Sequence, residues 1–183
     1  MNLNELRDKA YQCAVEHGWH EEEYSNEHFL CLVISELMEA LEADRKRMHA
    51  FRNPFEDFIS RFTKDPEHAY KVAFDEYIKD TVEDELADAV IRLLDWHGVY
   101  GIQLDGSCLE YEVIEEYSRI YKDKTFTESV FNIVASVISF EIQVAFLKIF
   151  GLAMHLGIDI HWHIEKKMRY NELRSYKHGN KKY

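Results

Sequence analysis

Two pairs of carboxylates stand out by their surroundings. Glu36 and Glu39 lie in Val33-Ile34-Ser35-Glu36-Leu37-Met38-Glu39-Ala40-Leu41. Glu85 and Asp88 lie in Glu85-Leu86-Ala87-Asp88-Ala89-Val90-Ile91-Arg92-Leu93-Leu94-Asp95-Trp96. An i, i+3 spacing puts both acids of a pair on one helix face, a turn apart. Spacing alone says little, because six such pairs occur (Glu5/Asp8, Glu36/Glu39, Glu39/Glu42, Asp80/Glu83, Glu85/Asp88, Glu112/Glu115), about what so acidic a chain gives by chance. Carboxylates set beside apolar residues that face a core lose hydration and repel one another unless something neutralises them. Four oxygens from two facing helices, completed by water and a substrate phosphate, suit Mg²⁺ or Mn²⁺. The competing reading is a set of boundary acids paired with Lys or Arg. Few basic residues lie near either motif except Arg92 and the run Arg45-Lys46-Arg47.

Other metal chemistries fit less well. A helical di-iron site needs glutamates with His three residues on, and none of the glutamates here has one. The cysteines, Cys13, Cys31 and Cys108, form no C-x-x-C, which removes zinc-knuckle and thioredoxin-type sites. The 183 residues carry a formal net charge of −12, which opposes a nucleic-acid polymer as main partner. That charge is uneven. Residues 161–183 hold seven basic residues (Lys166, Lys167, Arg169, Arg174, Lys177, Lys181, Lys182) against Glu165 and Glu172, a net +5, leaving −17 for residues 1–160. Such an end serves as a solvated basic tail or folds over an anion held by the acidic body.

The elements that must position these groups are helical. With 7 Gly and 2 Pro, an all-β fold lacks turn residues, and 46% hydrophobic content excludes disorder. Leu30, Ile34, Leu37 and Leu41 mark one face of a helix from Ser25, an N-cap, to about Met48. Pro54 and Pro66 each open or end a short helix between Ala50 and Lys79. Thr81, with Asp84 as a capping-box-like partner, starts the second acidic helix, which runs to about Trp96 with Gly98 and Gly101 as stop signals. Thr125 and Glu128 form a capping box for a long apolar helix ending near Gly157, and a last helix covers about His161 to Leu173. The expectation is one all-α domain over 1–183, a helical bundle. The apolar stretch from Val130 to Leu156 carries Asn132, Glu141, Gln143 and Lys148, so it reads as a buried helix with no membrane partner. The N-terminus lacks an apolar signal core, and the expected location is a reduced cytoplasm.

The order Glu36-x-x-Glu39, then Glu85-Leu-Ala-Asp88 with Ile91-Arg92 and Asp95, then Lys167-Met-Arg-Tyr-Asn171-Glu-Leu-Arg174-Ser-Tyr-Lys-His178-Gly179, resembles the all-α NTP pyrophosphatases, both MazG-like proteins and dimeric dUTPases. The motifs cover about a third of the chain. Two departures are a long gap between the acidic motifs, Met48 to Lys79, and an added helical block, 105–156. Glu141-Ile-Gln-Val-Ala145-Phe-Leu-Lys148 through Gly157 aligns without gaps on Glu85-Leu-Ala-Asp-Ala89-Val-Ile-Arg92 through Gly101, with Val144 replacing the second acid. Residues 105–160 therefore read either as a decayed repeat without a metal site or as a chance match of two amphipathic helices.

The resemblance implies a hydrolase that cleaves a nucleoside triphosphate between its α and β phosphates, giving a monophosphate and pyrophosphate, with Mg²⁺ (or Mn²⁺) held by Glu36, Glu39, Glu85 and Asp88. One glutamate of the first pair takes the proton of the attacking water, and Glu39 is the choice. Lys167, Asn171 and Arg174, at i, i+4, i+7, present an ammonium, an amide and a guanidinium to phosphate, or form an ordinary surface face. Arg92 braces a carboxylate or touches phosphate. Trp19 stacks on a base or fills a core or surface position, and His163 and His178 read as surface histidines. Long apolar helices and the resemblance together point to a homodimer or homotetramer. The alternative from another class is a non-catalytic helical module that binds nucleotide or a protein partner.

Overall fold

Helix starts are set by side-chain caps. Ser25 Oγ accepts from the His28 N–H, Thr81 Oγ1 from Asp84, Thr125 and Glu128 cap each other reciprocally, and Asp159 accepts from Trp162. In the computed structural model, which describes residues 2–62 and 64–180 apart from the side chains of Cys108 and Asn180, the helices are α1 (Leu3–Glu16), α2 (Asn26–Lys46), α3 (Arg52–Arg61), α4 (Pro66–Tyr77), α5 (Val82–Val99), α6 (Tyr111–Arg119), α7 (Phe126–Ile138), α8 (Ile142–Leu156) and α9 (Ile160–Glu172). No strand occurs among the described residues, so the class is all-α. Lys181 and Lys182 of the basic end, and the thiol of Cys108, lie outside the description.

Two local expectations are corrected. The long apolar helix breaks at residues 139–141, where Phe140 turns left-handed (φ 57°). No Gly or Pro marks the break. α7 folds back onto α8, and that contact buries Val130, Ile133 and Val137 with Phe146 and Ile149 in one core. Gly98 lies inside α5 rather than beyond it, where α1 comes close: an added Cβ would lie 2.5 Å from that of Tyr11. Gly101, in left-handed backbone, ends the segment.

α5 is the axis of the domain. It packs on α1, α2, α8 and α9, and Leu86, Ala87, Val90, Leu93 and Leu94 on it are out of water. α2, α5, α8 and α7 each touch the next, closing a four-helix ring. The excursion through α3 and α4 carries a separate aromatic cluster, Phe55, Phe74, Trp162 and Tyr170, which anchors α9 beside α5. No single helix among the described residues is long and apolar enough to cross a membrane.

Candidate functional site

α2 and α5 run antiparallel, as three cross-contacts show. Trp96 donates to Asn26 at 2.9 Å, Arg92 to Glu36 at 3.0 Å, and Glu39 meets Glu85 further along. Glu36, Glu39 and Glu85 each offer one carboxylate oxygen, all within 4.8 Å of one another. Glu36 and Glu85 are buried and Glu39 is exposed, accepting from the Ser35 hydroxyl at 3.4 Å. Burial, then the charge of Asp88, pushes Glu36 up to about 7 despite Arg92. Burial, then Asp84, pushes Glu85 up to about 9. Arg92 is the one cation paired with the trio among the described residues, so two of its three carboxylates are left for a proton or a further cation to balance. All-oxygen donors around a short span fit a hard divalent cation.

Asp88 is not part of that trio. Its Oδ2 lies 3.0 Å from Lys167 Nζ, which also donates to Asp84 Oδ2 at 2.9 Å. Burial opposes the charge of Asp88, but Lys167 and Arg92 outweigh it and its pKa falls. Burial likewise opposes the charge of Lys167, and Asp88 and Asp84 overcome it, holding the amine protonated. Lys167 is 5% exposed, so it does not share an open face with Asn171 and Arg174. Asp84 stands four residues before Asp88, outside the i, i+3 spacing, and the two carboxylates share Lys167. The Asp84 carboxylate also accepts from the Asp80 N–H at 3.1 Å, so the expected box with Thr81 closes one residue early. Burial leads in pushing Asp84 up to about 6, and its Oδ1 is buried without a partner.

A cleft opens beside this cluster between α1, α5 and α9. Asp88, Arg92 and Asp95 line it from α5, Asn171 and Arg174 from α9 and the turn after it, and Trp19 and His178 from its mouth. Asn171 Oδ1 is buried with no hydrogen-bond partner among the described residues. Arg92 both braces Glu36 and faces the cleft. Asp95 Oδ1 accepts from His20 Nε2 at 2.8 Å. The C-terminal segment closes the mouth. The Lys177 N–H donates to the His17 carbonyl (3.0 Å), the His17 ring meets the Arg174 carbonyl (3.0 Å), Lys177 pairs with Glu21 (2.9 Å), and the Tyr176 hydroxyl donates to Glu21. The basic end thus folds over the acidic body. His178 is half-buried and packs edge-on to Trp19, with ring centres 5.1 Å apart, and burial pushes its pKa down to about 3. His163 is buried, at 6% exposure, because α9 lies against α5.

The second helix pair repeats one contact with different chemistry. Counted from the caps Ser25 and Thr125, Glu36 corresponds to Ser136 and Glu39 to Ser139. Lys148, the counterpart of Arg92 in the gapless alignment, donates to Ser136 at 2.9 Å and to the Asn132 carbonyl at 3.1 Å, and Ser136 donates to Glu141 at 3.3 Å. The crossing is kept and its acids are largely gone. Comparison of the chain with protein-family models, curated proteins and solved structures returns no match.

Proposed function

We propose that the protein is a Mg²⁺-dependent nucleoside triphosphate pyrophosphohydrolase of the all-α NTP pyrophosphatase type. The observation that carries this reading is the Glu36–Glu39–Glu85 trio, joined through Arg92, which pairs with Glu36, to a cleft that Arg92 lines together with Asn171 and Arg174. Glu36, Glu39 and Glu85, with Asp88 a turn along, are the residues that would hold Mg²⁺ or Mn²⁺. Bound there, such an ion supplies charge neutralisation for the phosphates and a polarised water. Glu39 is exposed and forms no ion pair among the described residues, so with one oxygen toward the metal its second would take the proton of that water. Arg174 and Asn171 grip the phosphate oxygens. Lys167 acts from behind, keeping Asp88 ionised.

The likeness between the Arg92–Glu36 and Lys148–Ser136 contacts supports residues 105–160 being a decayed repeat that completes the bundle without a metal site. A homodimer or homotetramer belongs to the same reading. Phe131 and Ile138 on α7 are 73% and 64% exposed, and a sizing experiment with light scattering that returns a monomer removes this part.

One observation favours a non-catalytic binding module instead. Arg92 and Lys167 already neutralise Glu36, Asp84 and Asp88, as a chemically silent cluster would be. Identification of the products from a panel of ordinary and modified nucleoside triphosphates, with Mg²⁺ or Mn²⁺, separates the two. Monophosphate plus pyrophosphate supports hydrolysis at the α–β bond. Binding without turnover supports the module.

A further inference from the structure

Taking the nucleotide reading of the cleft as its basis, we propose that Asp95 selects the base and favours one carrying an amino group, as cytosine and adenine do, over the oxo analogue. Asp95 follows Asp88 by seven residues, nearly two helical turns, so both lie on one face of α5, about 10 Å apart along its axis. α5 is therefore a ruler across the cleft. Its Asp88 end meets the acid cluster, Arg92 stands between, and Asp95 marks the far end. The cleft as a whole has the make-up of a base pocket: Trp19, Ile91 and Met168 are apolar lining residues, and Asp95, Arg92 and Asn171 are polar ones.

Asp95 is 7% exposed, and its Oδ1 is taken by His20. Among the described residues no hydrogen bond reaches Oδ2, while the side chain lines the cleft. An ionised carboxylate oxygen only accepts hydrogen bonds. The amino group at C4 of cytosine, or at C6 of adenine, donates to it. The carbonyl at the same position of uracil or hypoxanthine sets acceptor against acceptor and leaves both unpaired. Only about 50 Å³ of the cleft admits water-sized guests in this conformation, so a base enters by displacing His178 and the segment behind it from Trp19.

The test compares isosteric pairs, CTP with UTP and ATP with ITP, on the wild type and on Asp95→Asn. The amide keeps an acceptor for His20 and adds a donor for a base carbonyl. The expected wild-type result is a kcat/KM at least tenfold higher for CTP than UTP and for ATP than ITP, and in Asp95→Asn a preference that vanishes or reverses with an unchanged melting temperature. Equal wild-type rates, or an Asp95→Asn variant that loses activity on both members of a pair alike, overturn the proposal. Binding of CMP and UMP, measured by calorimetry, decides the matter if no triphosphate is hydrolysed. Tighter CMP binding that Asp95→Asn abolishes supports base selection while the hydrolase reading falls. Equal binding, or none, overturns base selection.

Discussion

Lys167 Nζ lies 2.9 Å from Asp84 Oδ2, a pair 83 residues apart in sequence that ties α9 to α5, with side chains 6% and 0% exposed. Removing one partner of a buried ion pair leaves an uncompensated charge, a loss of about 3–5 kcal/mol. Lys167→Met strands two carboxylates, Asp84 and Asp88. Urea denaturation at neutral pH should show a loss of this size, and adding Asp84→Asn should recover a large part of it. A loss below about 1 kcal/mol would mean that the pair contributes little.

The closure of the cleft depends on Gly18. Its φ is +81°, and a Cβ there would lie 2.4 Å from the Tyr176 ring. Gly18→Ala therefore strains the backbone and displaces the ring that holds the tail to Glu21. The expected outcome is a loss of about 1 kcal/mol or more, with faster proteolytic cleavage between Arg174 and Gly179. Unchanged cleavage would show that the tail is held by other contacts.

Burial is the main cause that pushes His163 down to about 4, against the pull of Glu83 and Asp159 and with some help from Arg52. The unfolded chain takes up this proton near 6.5 and the folded one near 4, so the unfolded state binds more protons between those values. Stability tied to His163 is present above about 6.5 and is lost as pH falls through the window, by roughly 3 kcal/mol. His163→Gln lacks that term. The stability gap between wild type and variant, from denaturant melts, should shift against the wild type by about that amount between pH 7 and pH 4. A pH-independent gap contradicts the assignment.

Arg174 lines the cleft and no carboxylate of the described residues pairs with it in an ion pair. Arg174→Ala should raise KM for a nucleoside triphosphate about tenfold, the loss of one charge-assisted hydrogen bond, while Mg²⁺ binding to the protein alone stays as it was. A fall in metal affinity would place Arg174 in the acid cluster instead.

The elements were legible where local chemistry decides them. Ser25, Thr81 and Thr125 cap the helices expected of them, and Glu36, Glu39 and Glu85 come together where α2 and α5 face each other, while Asp88 turns to Lys167. What was not legible depends on pairings distant in sequence. The break at Phe140 has no Gly or Pro and follows from α7 meeting α8. Lys167 looks like a surface cation until Asp84 and Asp88, some 80 residues away, enclose it. His20 and Asp95 are separated by 75 residues and share no motif. Gly98 reads as a stop signal until Tyr11 is seen packed on it.

The central claim is that the carboxylate trio serves hydrolysis of a nucleoside triphosphate. Its most direct measurement is pyrophosphate release with Mg²⁺ by the wild type and by Glu85→Gln, each shown to be folded. Glu85→Gln keeps the size of the side chain and removes the carboxylate, one oxygen and the negative charge, that α5 offers the trio. The account predicts pyrophosphate release by the wild type and a drop of at least a hundredfold in the variant. A wild type that releases no pyrophosphate from any triphosphate, or a Glu85→Gln variant that releases it at the full rate, would contradict it.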